Sequence, residues 1–469
     1  MATNHNTKPE NLSRRRFLRN LGIVSAAGAL ASCGARPDNT VAKTTDHSGP
    51  MTMRPNPNSG DKVSLLGYGC MRFPTIGMRD GTDDNTLDQE AINRSVDYAM
   101  EHGVNYYDTS PAYCQGNSET ATGIALARYP RDKYFIATKL SNFAPSQWSY
   151  EESVKMFENS LKCLQTDYVD YLLLHGIGIG GMDALRGRYL DNGVLDYLKK
   201  QKSETGRIRN LGFSYHGDVE VFDYLLKRMD EGLDHWDFVQ IQMNYLDWEH
   251  AKASNPRNTN ADYLYGELHK RGIPVVIMEP ILGGRLAKVS YPINNKMKAR
   301  RPDDTPAAWA FRFAGTPEGV LTVLSGMTYM EHLKENVSTF SSLDPLTDDE
   351  NEFLMRTAVE ILENNEVPCT DCKYCMPCPY GVDIPGVFAH YNRCLNDDNL
   401  PRVDTDPRYA EARKAFLFGY DRAVPRLRQA GMCIGCGECV SHCPQSIQIP
   451  ETMRKIDKYA EDLRNHNQA

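Results

Sequence analysis

Eight of the thirteen cysteines crowd into two short stretches, and they are the strongest chemical signal in this sequence. The first stretch holds Cys369, Cys372, Cys375 and Cys378, with Pro379 next. The second holds Cys433, Cys436, Cys439 and Cys443, with Pro444 next. A disulfide framework would spread its cysteines through a short secreted domain. Tight Cys-x-x-Cys steps favour metal instead. Three thiolates at i, i+3 and i+6 around a turn can hold three corners of an iron–sulfur cubane, the fourth coming from elsewhere. Two Cys₄ zinc centres are the rival use of eight thiolates; the three-cysteine runs and the Cys-Pro endings favour the cubane. Of the scattered cysteines, Cys394 has no partner by spacing and reads as a core thiol, and Cys114 adjoins Tyr113.

A second set of residues could move protons. Asp108, Lys139 and His175 each close a short apolar run, and Tyr113 follows Asp108 by five residues. Singly, each has an ordinary structural use: a lysine ending a strand is commonly solvated, and a histidine after leucines commonly a satisfied rim residue. Three such groups at the ends of successive runs, with Tyr113 on the loop above the first, point to one site.

The elements that must position them repeat along the chain. Apolar runs begin near Val63, Val104, Tyr134, Tyr168, Ile208, Phe238, Val275 and Val320, each followed by a stretch of helical period. Runs such as Tyr171 to Leu174 lack alternation, as strands buried on both faces do. Between runs, Ile92, Val96 and Ala99 share one helical face, with Asp88 as the N-cap. Eight such units predict an α/β fold, a closed (β/α)₈ TIM barrel, with function at the C-terminal ends of its strands. An open doubly wound sheet is the alternative, but no Gly-x-Gly-x-x-Gly follows the first strand. The expected domains are a signal over 1–33, a linker over 34–60, the barrel over 61–345 and a cysteine-rich domain over 346–469, helical between its two cysteine groups. A net charge of −8 without basic stripes gives no basis for nucleic-acid binding.

Over about 62–340 the chain resembles the aldo/keto reductase family, with Gly67-Tyr68-Gly69 near the start and Asn117-Ser118-Glu119 opening the second helix. The resemblance implies a catalytic tetrad of Asp108, Tyr113, Lys139 and His175 acting on a small carbonyl or alcohol substrate. A carbonyl that takes hydride builds negative charge on oxygen and needs a proton donor. Tyrosine, with a pKa of about 10, is a sluggish acid; a nearby ammonium favours the tyrosinate and lowers that value. On this expectation Asp108 holds Lys139 in place and His175 orients the substrate oxygen. The resemblance also implies NAD(P) contacts: Ser214 and Gln240 at the nicotinamide, Leu282, Gly283 and Gly284 at the pyrophosphate, and Glu335 and Asn336 at the adenine. Three positions depart from the family. Met278 replaces the stacking tyrosine, Gly326 the lysine for the ribose phosphate, and His332 the matching arginine. Losing two fixed cations leaves the choice between NAD and NADP open.

The C-terminal stretch resembles the helical two-cluster ferredoxins and the tails of a cluster-bearing branch of the same reductases. In such ferredoxins the cysteine before proline serves the other cluster. The resemblance therefore implies two 4Fe–4S clusters with exchanged ligands: Cys369, Cys372, Cys375 and Cys443 for one, Cys433, Cys436, Cys439 and Cys378 for the other.

The N-terminus reads as an address. Arg14-Arg15 with Phe17-Leu18, then apolar small residues from Leu21 to Ala31, resembles a twin-arginine signal; a mitochondrial presequence is the alternative. Leu30-Ala31-Ser32-Cys33 resembles a lipobox, so the expectation is export from a bacterial cytoplasm, with lipid on Cys33 as a membrane anchor. One difficulty stands: nicotinamide moves electrons in pairs and clusters move them singly. A flavin or a redox partner protein would have to bridge them. The expected function is an exported oxidoreductase coupling carbonyl chemistry to cluster electron transfer. Its alternatives are an electron carrier whose barrel is a binding module and a surface lipoprotein with structural clusters.

Overall fold

The chain enters its described fold through an antiparallel hairpin, β1 (Met53–Pro55) and β2 (Lys62–Ser64). The computed structural model describes residues 49–80, 85–363, 367–401 and 407–465; Arg14, Arg15 and Cys33 lie outside them. The hairpin corrects the linker expected over 34–60, since its first strand falls inside that range. It stays ordered because it plugs a barrel: Val63 is fully buried among Tyr106, Tyr171 and Phe238, and Asn56 Nδ2 donates to Tyr171 Oη at 3.0 Å.

The barrel strands are β3 (Leu66–Gly69), β4 (Tyr106–Asp108), β5 (Phe135–Leu140), β6 (Val169–Ile177), β7 (Ile208–Tyr215), β8 (Phe238–Gln242), β9 (Val275–Met278) and β10 (Val320–Ser325). All neighbours are parallel, and β10 closes on β3. The strands are buried on both faces, which is why their runs do not alternate. Helices between them are amphipathic and capped from the sequence. Asp88 Oδ1 accepts from Ala91 N at 3.1 Å, and the following helix, Gln89–Glu101, buries Ile92, Val96 and Ala99.

The helix Asp348–Leu362 corrects the boundary expected at 346. Its Phe353, Leu354 and Ile361 belong to the barrel's core, with Trp309 and Phe353 rings 5.5 Å apart. Three large side chains at roughly 1.5–3 kcal/mol each hold that helix to the barrel. The cysteine-rich lobe therefore begins beyond it. Its helices Ile384–Asn396, Tyr409–Ala423 and Ile449–Asn465 form a separate core around Val387, Phe388, Phe416 and Met453. Cys394 is buried in that core. Among the described residues no helix is long and apolar enough to cross a membrane.

Candidate active site

Parallel pairing brings the ends of β4, β5 and β6 side by side at one rim. Lys139, near the end of β5, donates from Nζ to Asp108 Oδ1 at 2.6 Å and to the Thr109 carbonyl at 2.8 Å. Both side chains are buried. Tyr113 lies on the short turn Tyr113–Gly116 after β4, and its ring centroid is 4.9 Å from Lys139 Nζ. His175 faces the same ring edge-on, centroids 5.9 Å apart. The four titratable residues singled out by their positions in the sequence are thus together.

Three further residues complete the setting. Ser141 Oγ lies 2.6 Å from His175 Nδ1, and Ser110 Oγ 2.9 Å from Ser141 Oγ. Arg188 donates from Nη2 to the His175 carbonyl and stands over the Phe143 ring. The signal for the serines was present: each follows a tetrad residue by two positions. Arg188 comes from the helical turn Arg186–Leu190 beyond β6 and had no such signal.

Burial dominates the electrostatics. It pushes the Asp108 carboxyl up, against the pull of the Lys139 ammonium; Asp108 Oδ2 has no hydrogen-bond partner among the described residues. Burial also pushes the Tyr113 phenol well above its ordinary range, and the nearby acidic groups Asp108, Tyr374, Glu279 and Cys70 add to the rise. The expectation of a lowered phenol is not met in this arrangement, because Lys139 is spent on Asp108 and desolvation outweighs its field. His175 is pushed well below its usual value by burial, Lys139, Arg188 and His216, so its imidazole is neutral at pH 7.

The expected NAD(P) contacts divide into two groups. Ser214 on β7 and Gln240 on β8 are direct register partners. Ser214 Oγ accepts from Gly176 N at 2.9 Å. Gln240 Nε2 reaches Met278 Sδ at 3.4 Å, while its Oε1 is buried with no hydrogen-bond partner among the described residues. An orphaned amide oxygen beside a hydroxyl fits a carboxamide. The other end does not fit a diphosphate. A Cβ at Gly283 would overlap the carbonyl oxygen and Cα of Thr370, so the cysteine-rich lobe fills the space beside the Leu282–Ala287 turn. Leu282 is fully buried, and only Gly284 faces open space. Glu335 accepts from Thr305 Oγ1, and Asn336 Nδ2 donates to Ser325 Oγ at 2.9 Å. Leu282 and Gly283 are thus covered by protein, whereas Glu335 and Asn336 each hold one protein partner.

Among the described residues the cysteines carry no disulfide. Their fields group them: Cys443 acts on Cys369, Cys372 and Cys375, whereas Cys378 acts on Cys439 together with Cys433 and Cys436. A cavity of about 270 Å³ is lined by Cys375, Cys378, Cys433, Cys436 and Cys439. Among the described residues no three His, Cys, Asp or Glu converge tightly enough for a single ion; a cubane spreads its thiolates around an eight-atom core and needs no such convergence. The donor set, all thiols in two groups of four, fits iron–sulfur clusters.

Comparisons with known proteins bear on the family of each part of the chain. The sequence model of the aldo/keto reductase family matches residues 65–356, and that of a 4Fe-4S dicluster domain matches 368–447. L-Galactose dehydrogenase of Arabidopsis thaliana is 27% identical over 305 residues, 62% of this chain and 88% of that protein. D-Arabinose 1-dehydrogenase of Saccharomyces cerevisiae is 33% identical over 127 residues, 25% of this chain and 35% of that protein. A thermostable aldo-keto reductase, solved with the inhibitor epalrestat, superposes with a TM-score of 0.51 at 20% identity, over 65% of this chain and 99% of its own, a likeness of fold. The protein is an oxidoreductase of an NAD(P)-dependent type, carrying a 4Fe–4S dicluster domain, and its chain belongs to the aldo/keto reductase family.

Proposed function

We propose that the protein interconverts a small carbonyl compound and its alcohol at the Tyr113–His175 rim, linked to NAD(P), and exchanges electrons through two 4Fe–4S clusters in its C-terminal lobe. The observation that carries this reading is the buried Asp108–Lys139 pair beside the Tyr113 ring, with neutral His175 edge-on to the same ring. Reduction of a carbonyl takes a hydride at carbon, which a bound reduced nicotinamide would supply, and one proton at oxygen, and it builds negative charge on that oxygen. Tyr113 donates one proton to that oxygen. Its raised pKa keeps the proton on the phenol until the oxygen has gained charge. Ser141 engages His175 Nδ1, which leaves Nε2 to orient the oxygen. Lys139, fixed by Asp108, stabilises the tyrosinate left behind.

We further propose that Arg14 and Arg15 send the folded precursor across the cytoplasmic membrane and that Cys33 then carries lipid. Support comes from the twin arginines, the apolar stretch and the lipobox-like ending.

One observation favours a second reading, an electron carrier whose barrel is a binding module: Thr370 stands where a diphosphate is expected. Anaerobic purification separates the two. The protein is assayed for iron, sulfide, dinucleotide and flavin, then given NADH or NADPH with a panel of small carbonyls. Carbonyl-dependent consumption of the nucleotide is the expected result. Clusters that exchange electrons with a one-electron donor, with no carbonyl turnover at all, would select the second reading.

A further inference from the structure

We infer that the first cysteine loop and a dinucleotide's diphosphate compete for one groove of the barrel rim, and that Arg72 is the latch that holds the loop there. The inference rests on the NAD(P)-linked reading of that rim.

One wall of the groove is the turn Leu282–Ala287, where Gly283 and Gly284 have φ of +65° and +100°. Glycine permits this backbone and lets another chain come to contact. The chain that comes is the protein's own. The backbone of Thr370 occupies the place of a Gly283 side chain, and Thr370 is buried, 2% exposed. Beside Gly284 the space is open, so the loop fills the groove at one end.

Arg72 reaches across from the turn after β3. Its Nη1 donates to the Asp371 carbonyl at 3.0 Å, its Nη2 donates to the Thr370 carbonyl, and Nη1 lies 3.5 Å from the Asp371 carboxylate. The stem of Arg72 covers Gly326: a Cβ there would lie 2.9 Å from Arg72 Cδ. Gly326 is the position expected to face the ribose phosphate, so this guanidinium lies on the dinucleotide's path. Its fork binds peptide carbonyls and a carboxylate here and would bind a phosphate equally well. Two bonds outside the groove also tie the lobe to the barrel: Asn255 Nδ2 donates to the Pro444 carbonyl, and Asn396 Nδ2 to the Lys288 carbonyl at 2.9 Å.

Thr370 and a diphosphate cannot share this space. A dinucleotide seats only when the 369–375 loop withdraws, and its apparent affinity falls by the fraction of molecules that are open. The cysteines of the first cluster therefore leave the rim whenever the nucleotide is in place.

The test uses the full-length protein with its clusters, under anaerobic conditions. NADH and NADPH are titrated by nicotinamide fluorescence while hydrogen exchange of 367–375 is followed. The expected result is weak binding, exchange of 367–375 that rises with saturation, and binding tightened about tenfold by Arg72→Ala and by Asn255→Ala. Asn255 lies outside the groove, so tightening there cannot come from a changed contact with the nucleotide. Saturation with unchanged protection of 367–375 overturns the inference, as does tightening in Arg72→Ala alone or in neither variant. Binding of equal affinity in all three proteins sinks the latch and leaves the NAD(P) reading intact. Failure of all three to bind either nucleotide overturns both.

Discussion

Tyr113 sits between an ion pair and a neutral imidazole, and each neighbour sets one property of its hydroxyl. Burial with Asp108 nearby makes it a reluctant acid; the Lys139 ammonium, 4.9 Å from the ring centroid, faces the charge left once the proton has gone. Tyr113→Phe keeps the ring and deletes the proposed donor. We expect carbonyl turnover to fall by about 10²–10⁴-fold, the usual worth of a positioned acid, with the visible spectrum of the clusters unchanged. Retained turnover would assign the proton to another group. Asp108→Asn is a poorer probe. It leaves the Lys139 ammonium unpaired in the core, at a cost of about 3–5 kcal/mol, so lost activity would be confounded with lost stability. The tetrad was legible because each member ends a run or follows one at short range. Arg188 was not, since its approach to His175 is made by the helical turn Arg186–Leu190 beyond β6.

At the level of elements, the cysteine-rich lobe is tied together by His390. Its ring stacks on Tyr420 at 5.2 Å and its Nε2 lies 3.0 Å from the Phe416 carbonyl, joining the helices Ile384–Asn396 and Tyr409–Ala423. Burial lowers its pKa to about 4 from 6.5. The folded state thus binds fewer protons than the unfolded one below pH 6.5. The stability His390 contributes is present above that value and is lost as pH falls toward 4. His390→Gln removes this dependence. Urea titrations at pH 7 and pH 5 should show the wild type losing more stability than the variant; an equal loss would place the acid sensitivity elsewhere. The two cysteine groups make a second prediction about elements. Cys378→Ser should damage the cluster proposed on Cys433, Cys436 and Cys439 and spare the one proposed on Cys369, Cys372 and Cys375. Electron paramagnetic resonance of the reduced variant checks it, and loss of the other cluster would refute exchanged ligation. The adjacent prolines and the spacing suggested this exchange; the pairing of Cys378 with the later group depends on how the loops fold back.

On the scale of the whole molecule, the barrel rim and the cysteine-rich lobe form one structure, and the address at the N-terminus is proposed to decide where it works. Arg14→Lys with Arg15→Lys should leave the precursor inside the cytoplasm. Fractionation with an antibody to the C-terminal lobe reads this out. Export of the double variant, or a wild-type protein found in the cytoplasm with residues 1–33 attached, would end the proposal. Tethered outside, the enzyme would have no soluble nicotinamide pool to draw on. A groove closed by Arg72 and Thr370 would then keep the site shut until the 369–375 loop withdraws.

Local rules sufficed wherever neighbours in sequence settle the physics. Eight unalternating runs meant eight strands buried on both faces, and Asp88 capped the helix that follows it because a carboxylate reaches an amide three residues on. Cys-x-x-Cys spacing points to metal ligands because a turn brings such thiolates together unaided. The errors fell where distant segments meet. The hairpin at Met53–Pro55 has no apolar period of its own and is ordered by the barrel mouth it plugs. The helix Asp348–Leu362 is assigned to the barrel by Trp309, some forty residues earlier. Gly283 was read as room for a pyrophosphate, and the need for a bare backbone was real. Which backbone or ligand fills that room is decided by the packing of one domain on another, and here Thr370 fills it.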